Sequence, residues 1–198
     1  MTTATIHHPP STADEPLVER AIAGDLSAFE ALVERHRRVV HRVASRIVGE
    51  DAAEDVAQEA FLRAFHRLPQ FRAESPFRAW LLRITHNTAL NALAREAPVP
   101  VEWYEPEAPR IGAETPQRTP AEELDVSERR DRLAGKLQLI QPSHRAVLVL
   151  RDLEGLSYEE IAAITGAPLG SVKGRLHRAR RELIALLREN TYDWELPR

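Results

Sequence analysis

Between Lys173 and Arg181 five of nine residues are Lys or Arg and none is acidic, a concentration of positive charge that suits a polyanion. The apolar residues in and around this stretch, Val172, Leu176, Ala179 and Leu183, recur at three- and four-residue steps. A helix with that spacing buries one stripe and keeps its cations outside. Such a helix is shaped to enter a major groove lined by phosphates. An ordinary solvated face mixes Glu with Lys, so the missing acid favours an anionic partner.

The residues just upstream position this helix. Ser157 is placed to cap a short helix and Glu160, three residues on, can reach back to the Ser157 N–H, which makes a reciprocal capping box. Gly166 supplies a sharp stop, and Pro168 has its ring pre-set for the first turn of the next helix. Two helices about a tight turn, the second one basic, read as a DNA-binding helix-turn-helix.

A second group of chemistry-bearing residues is acidic. Glu54, Asp55, Gln58 and Glu59 stand at one-, four- and five-residue steps on a helical pattern, so they lie near one another and can meet an Arg-rich surface through charge-assisted hydrogen bonds. They do not make a metal site, because no His is placed to complete one. The chain has no cysteine, hence no disulfide, thiolate ligand or Cys nucleophile. His7 and His8 form a pair without further ligands. A His-Glu-x-x-His motif, a phosphate-cradling Gly-rich loop and a nucleophile triad are all missing. No catalytic residue, cofactor or metal is expected, and the chain is not read as an enzyme.

The 198 residues carry a net charge of −3, which by itself speaks against nucleic acid, but the charge is unevenly spread. Residues 96–125 hold eight Asp or Glu against two Arg, whereas residues 126–190 hold twelve Lys or Arg against eight acids. That middle segment also scatters Pro98, Pro100, Pro106, Pro109, Pro116 and Pro120, which block helix and sheet alike and predict a flexible acidic linker. Thirty unstructured residues sit poorly inside one compact domain, so two small domains are expected. Residues 1–14 and 191–198 read as loose tails.

From Leu17 to Arg95 the pattern is helix after helix. A short one ends at Gly24; Asp25 caps the next, which runs through Phe29, Leu32, Val33, His36, Val40, Val43 and Ile47 to Gly49. A third covers Asp51 to Leu68 and breaks at Pro69. A fourth starts at Pro76 and passes through Phe77, Trp80, Leu81, Ile84 and Leu90; Trp80 shares its apolar stripe and is read as core. Helices are expected again from Leu124 to Leu139 and from Pro142 to Leu153. No segment alternates with a period of two, so the fold class is all-α, with two small helical domains joined by a flexible linker. No apolar run is long enough to span a bilayer and the N-terminus lacks the order of a signal peptide, so no membrane insertion and a cytoplasmic location are expected.

Three motifs in sequence carry a family resemblance. Asp51-Ala-Ala-Glu54-Asp55-Val-Ala-Gln58-Glu59-Ala-Phe61-Leu62-Arg63-Ala64-Phe65, then Phe71-Arg72-Ala-Glu74-Ser75-Pro-Phe77-Arg78-Ala-Trp80-Leu81-Leu-Arg83-Ile84-Thr-His-Asn87, then the helix-turn-helix, resemble the extracytoplasmic-function (ECF) class of the sigma-70 family of bacterial RNA polymerase sigma factors. The resemblance implies that residues 15–95 are sigma region 2, which binds core RNA polymerase and recognises and melts the minus-ten element. Residues 126–190 would then be region 4, which recognises the minus-thirty-five element.

Carried onto this sequence, the resemblance implies a polymerase-docking set of Asp51, Glu54, Asp55, Gln58, Glu59, Phe61 and Leu62. For minus-ten DNA it implies Phe71 and Ser75 lining a pocket for a flipped base, Arg72, Arg78 and Arg83 on phosphates, and Asn87 and Asn91 on the exposed face of the helix. Where the family often has an Asp followed by two or more Arg, this chain has Asn91-Ala92-Leu93-Ala94-Arg95-Glu96, so fewer phosphate contacts are expected there. For the minus-thirty-five groove it implies Ser171, Lys173, Arg175 and Arg178. Promoter DNA, core RNA polymerase and an anti-sigma factor are the implied partners. A stand-alone helix-turn-helix repressor is the competing class, and it gives the acidic motif no role.

Overall fold

The computed structural model describes residues 13–96 and 132–188. Among these residues all regular structure is helical: α1 (Glu15–Ile22), α2 (Leu26–Val48), α3 (Ala53–Arg67), α4 (Phe77–Glu96), α5 (132–139), α6 (Pro142–Leu148), α7 (Tyr158–Thr165) and α8 (Leu169–Arg188). A tight turn over Leu68–Gln70 ends α3. Helix α6 runs on into a widened turn over Val149–Leu153, where the Glu154 N–H reaches back five residues to the Val149 carbonyl at 3.1 Å. The all-α expectation holds, with helical units on either side of the acidic segment. The linker from residue 97, the start of the expected helix at 124–131 and the tails 1–12 and 191–198 lie outside the described residues. No helix among the described residues is long and apolar enough to cross a membrane.

The helix ends follow from local chemistry. Asp25 accepts hydrogen bonds from the N–H groups of Ser27 and Ala28 at 3.0 and 3.2 Å, and Gly49, at φ +93°, stops α2. The capping box at α7 is complete: Ser157 Oγ accepts from the Glu160 N–H at 3.1 Å and Glu160 Oε2 accepts from the Ser157 N–H at 2.7 Å. Gly166 takes the left-handed conformation (φ +67°) at the turn into α8. Pro168 sits just before that helix rather than in its first turn, and its carbonyl accepts the first helical hydrogen bond, from Val172.

One correction concerns the N-terminus. Residues 1–14 were expected to form a loose tail, but Asp14 is buried, its carboxylate held by Arg35 at 2.7 Å and by the His36 ring at 2.9 Å. A buried carboxylate is stable only when its oxygens are satisfied, and here residues 21 and 22 positions away satisfy it. No local pattern in the tail signals such partners.

Packing joins the two halves. One cluster belongs to the front half alone: Val18, Leu32, Val40, Ala57, Ala60, Ala64, Leu68, Phe77, Leu81 and Ile84. A second is continuous across the chain, uniting Val43, Ala44, Ile47, Ala53, Val56, Leu82 and Ala89 with Leu137, Ile140, Leu150, Ile161, Ile164, Val172 and Leu176. Helix α4 is the shared wall. It turns Leu81 and Ile84 to the first cluster and Leu82 and Ala89 to the second, with Thr85, His86 and Thr88 buried between. A helix apolar on one stripe covers one neighbour; α4 covers two.

Candidate nucleic-acid interface

Helix α8 is seated by the stripe expected of it. Val172, Leu176 and Ala179 are buried and Leu183 packs beside them. Ser171 and Lys173 are exposed, while Arg175 and Arg178 are half-buried. The Lys173 ammonium lies 5.6 Å from the centre of the Tyr158 ring and the Arg151 guanidinium 4.7 Å from it, so the aromatic face of α7 steadies two cations at once. Arg180, which charge alone would leave to solvent or phosphate, instead forks onto Asp152 at 2.9 and 2.6 Å.

The loop between α3 and α4 shapes a cavity of about 410 Å³, walled by Phe71, Ser75, Pro76 and Phe77 on one side and by α1 on the other. That volume lies within the range of small-ligand sites. Phe71, Phe77 and Trp80 form an aromatic cluster, with ring centres 5.1 to 6.0 Å apart. Trp80 is partly buried against the first core, as its stripe implied. Ala73, in the same loop, has φ +54°, the sole positive value among the described non-glycine residues. For an alanine that conformation costs about 1–2 kcal/mol, which the surrounding packing must hold in place. Glu15, Glu19 and Glu74 add carboxylates to the wall. The cavity therefore offers flat apolar faces and hydrogen-bond acceptors, which suit a nucleobase bearing N–H groups better than they suit a phosphate.

Along α4, Arg83, Asn87 and Asn91 are exposed at four-residue steps and make one polar strip. Arg72 is exposed in the loop. Asn91 is set apart from the cavity: it shares a groove with Asp55, Glu59, Thr88 and Arg95, at the far end of the strip. Arg78 is not on this strip. It is half-buried on the face turned to the back half, where its Nη2 donates to Glu154 at 3.1 Å.

The acidic motif on α3 splits into two rows. Glu54, Gln58 and Phe61 border a groove of about 520 Å³ against α2, together with Arg37, Arg38 and His41. Asp55 and Glu59 face the α4 side. Gln58 donates to Glu54 at 2.9 Å, and Arg63 to Glu59 at 2.6 Å. Asp51 is exposed at the head of the helix, and Leu62 is 57% exposed, which leaves an apolar residue between the rows for a partner to cover.

Two residues absent from the sequence reading, Arg42 and Glu154, prove central to how the halves meet. Arg42 forks onto Glu154 at 2.6 and 2.7 Å across 112 positions of chain. The carboxylate's hydrogen bonds raise the Arg42 pKa above its ordinary value. Gln138 adds a second clasp, donating to the Ser45 and Arg46 carbonyls at 3.4 and 3.3 Å while Arg145 donates to it in turn. Burial lowers Arg145 to about 10. Nothing in the local sequence marks these pairs.

The chain matches known proteins in sequence and in fold. Residues 32–98 match the family model for sigma-70 region 2 and residues 131–183 that for sigma-70 region 4. The chain is 38% identical over 175 residues to the ECF RNA polymerase sigma-E factor of Escherichia coli K12, covering 86% of this chain and 92% of that protein. It is 37% identical over 172 residues to the factor of the same name from Haemophilus influenzae, covering 84% and 91%. Among solved structures, CnrH in complex with the cytosolic domain of CnrY aligns with a TM-score of 0.65 at 33% identity, over 90% of this chain and 99% of that one. The sigma factor RpoE of Bartonella quintana, in complex with the anti-sigma factor NepR, shares the fold with a TM-score of 0.60 at 24% identity, over 81% and 96%. Matched in both halves by the family models and at 37–38% identity over most of its length by these factors, the protein belongs to the ECF family of RNA polymerase sigma factors.

Proposed function

We propose that the two halves divide the work of a promoter-specificity subunit as follows. Helix α3 docks on core RNA polymerase through Asp51, Glu54, Asp55, Gln58, Glu59, Phe61 and Leu62. The Phe71/Ser75 cavity takes a base flipped from the minus-ten element, with Arg72, Arg78 and Arg83 on nearby phosphates and Asn87 and Asn91 along the strip. Helix α8 reads the minus-thirty-five element through Ser171, Lys173, Arg175 and Arg178. The boundaries follow: residues 15–95 act as region 2, residues 126–190 as region 4, and the acidic segment 96–125 as the tether between them. The chain performs no bond chemistry itself; the polymerase does. It works where polymerase works, in the cell interior, and an anti-sigma protein holds it inactive, as suits a chain similar to CnrH and RpoE, which were solved with CnrY and NepR.

The observation that carries this reading is the exposed double row of α3. A protein that only gripped duplex DNA would have no use for a carboxylate surface with Leu62 at its centre, and that surface repels phosphate. Two modest DNA-reading units gain strength once both are fixed on one platform, through effective concentration. The test is transcription in vitro with purified core polymerase on a pool of promoters, with and without the chain. Sequence-dependent starts appear only on its addition. Tight binding to a duplex operator by the chain alone, with no effect on polymerase, would overturn the assignment.

A further inference from the structure

Two arginines from different helices of the front half converge on one carboxylate of the back half. Arg42 of α2 donates through Nε and Nη2 to the two oxygens of Glu154, at 2.6 and 2.7 Å, and Arg78 of α4 donates to Oε2 at 3.1 Å. The Glu154 side chain is only 1% exposed, whereas Arg42 keeps 50% exposure and Arg78 22%. The carboxylate is thus buried while the two cations against it still reach solvent.

The charges do not balance, since two guanidinium groups meet one carboxylate. Arg42 alone already meets both oxygens of Glu154, so the clasp between the halves is complete without Arg78. The second cation is accounted for if the cradle serves another anion. A guanidinium fork fits the two oxygens of a carboxylate and the two non-bridging oxygens of a phosphodiester in the same way. Location agrees: Arg78 stands in the first turn of α4, one residue after Phe77, which lines the loop cavity, so cradle and cavity lie at the same end of that helix.

We propose that Arg42 and Arg78 form a phosphodiester-binding site for the opened minus-ten strand, and that the Glu154 carboxylate occupies this site in place of phosphate while the halves are closed. The proposal rests on the minus-ten reading given above and adds to it Arg42 and the occupant of the site. Glu154 belongs to the half that reads the upstream element, so separation of the halves and vacating of the cradle are one event. DNA competes with a carboxylate of this chain for the same two side chains.

The experiment uses the full chain as wild type, Glu154→Gln, and Glu154→Gln with Arg42→Gln. The probe is fluorescein-labelled oligothymidylate about 20 nucleotides long, read by anisotropy between about 50 and 300 mM NaCl. Glu154→Gln keeps the side chain's shape and removes its charge, and binding tightens by roughly tenfold, the scale of a charged hydrogen bond. Adding Arg42→Gln returns affinity to the wild-type level or below and lowers the salt slope by about 0.7, one single-strand phosphate contact. Circular dichroism melts confirm that each chain is folded.

The proposal fails if Glu154→Gln binds no tighter than wild type, for then the carboxylate blocks nothing. It fails equally if the double variant matches Glu154→Gln in affinity and slope, for then Arg42 is only a clasp. Either failure leaves the wild-type chain's ability to program core polymerase untouched. Loss of that ability would sink the functional reading instead.

Discussion

Replacing Glu54 and Asp55 together by Lys is the sharpest test of the proposed docking face, because on that proposal the two carboxylates have both a folding and a binding role and the magnitudes separate them. Both are exposed, with the Glu54 side chain at 66%, and they are the acids of α3's first turn. Ala52 offers no side-chain cap to that helix, so the charges of its first turn carry the favourable interaction with the helix N-terminus. A favourable charge at a helix N-terminus contributes about 0.3–1 kcal/mol, and reversing two of them costs folding on the order of 1–3 kcal/mol. A hydrogen bond to a charged group across an interface contributes about 1.5–3 kcal/mol, so two lost contacts remove about 3–6 kcal/mol from polymerase binding. That corresponds to a loss of roughly 10²- to 10⁴-fold in affinity. The neutral pair Glu54→Gln with Asp55→Asn keeps shape, halves the charge change and stays folded, while its affinity still falls at least about tenfold. Equilibrium binding of fluorescently labelled chain to core polymerase reads the first quantity and urea denaturation the second. A charge-reversed chain that binds core polymerase with unchanged affinity would refute the reasoning.

Two further outcomes are expected. Ser157→Ala removes the acceptor for the Glu160 N–H while leaving the 2.7 Å return bond intact, so stability falls by about 1 kcal/mol and thermal melts shift down by a few degrees; an unshifted melting temperature would show that the box does not hold α7. Acid should also weaken the fold above the carboxylate range. Burial lowers His36 despite Asp14 beside it, and burial lowers His86, with Arg175 adding to the effect. A histidine whose folded pKa lies below its unfolded value is protonated preferentially in the unfolded chain, so stability is retained above about pH 6.5 and declines as pH falls below it. Asp25, held at about 2 by Ser27, Arg20 and the Ala28 N–H, contributes its loss only below pH 3.8 and lies outside this window. Urea midpoints measured between pH 7.5 and 5 therefore drop, and His86→Asn flattens the drop; midpoints that rise on acidification would contradict the burial argument.

How much of this was legible before the structure depends on the distance over which each feature is encoded. Caps and stops are local: Asp25, Gly49, Ser157 with Glu160, and Gly166 all act within a few residues, and each does what its chemistry implies. The α8 stripe was legible for the same reason. The closure of the halves was not. Its polar clasp joins Arg42 to Glu154 across 112 positions, and no periodicity reports such a pair. One signal was available: α4 places Leu81, Leu82, Ile84 and Ala89 around more than one face, and a helix without a single apolar stripe needs two neighbours. The acidic cluster of α3 was legible in composition but not in direction, since spacing alone brings Glu54 and Asp55 together while packing turns one toward α2 and the other toward α4.

The closed arrangement also orders events. On the proposed assignments, the α3 rows and Leu62 stay open to a partner while the halves are together, whereas Arg78 is engaged by Glu154 and Arg175 is half-buried near His86. Polymerase can therefore engage a closed chain, but DNA cannot use all of its intended cations until the halves part. A partner shifts such an equilibrium only by the difference in its affinity for the two forms. Docking through α3 alone touches a surface that both forms expose, so it gives no bias. The opening must come from contacts that only the separated halves can make: region 4 held elsewhere on the polymerase, and phosphates replacing Glu154 between Arg42 and Arg78. Weak DNA binding by the free chain and strong binding on polymerase are then one property, set by the apolar contact of Leu82 and Ala89 with the back half and by the Arg42–Glu154–Arg78 contact at its edge.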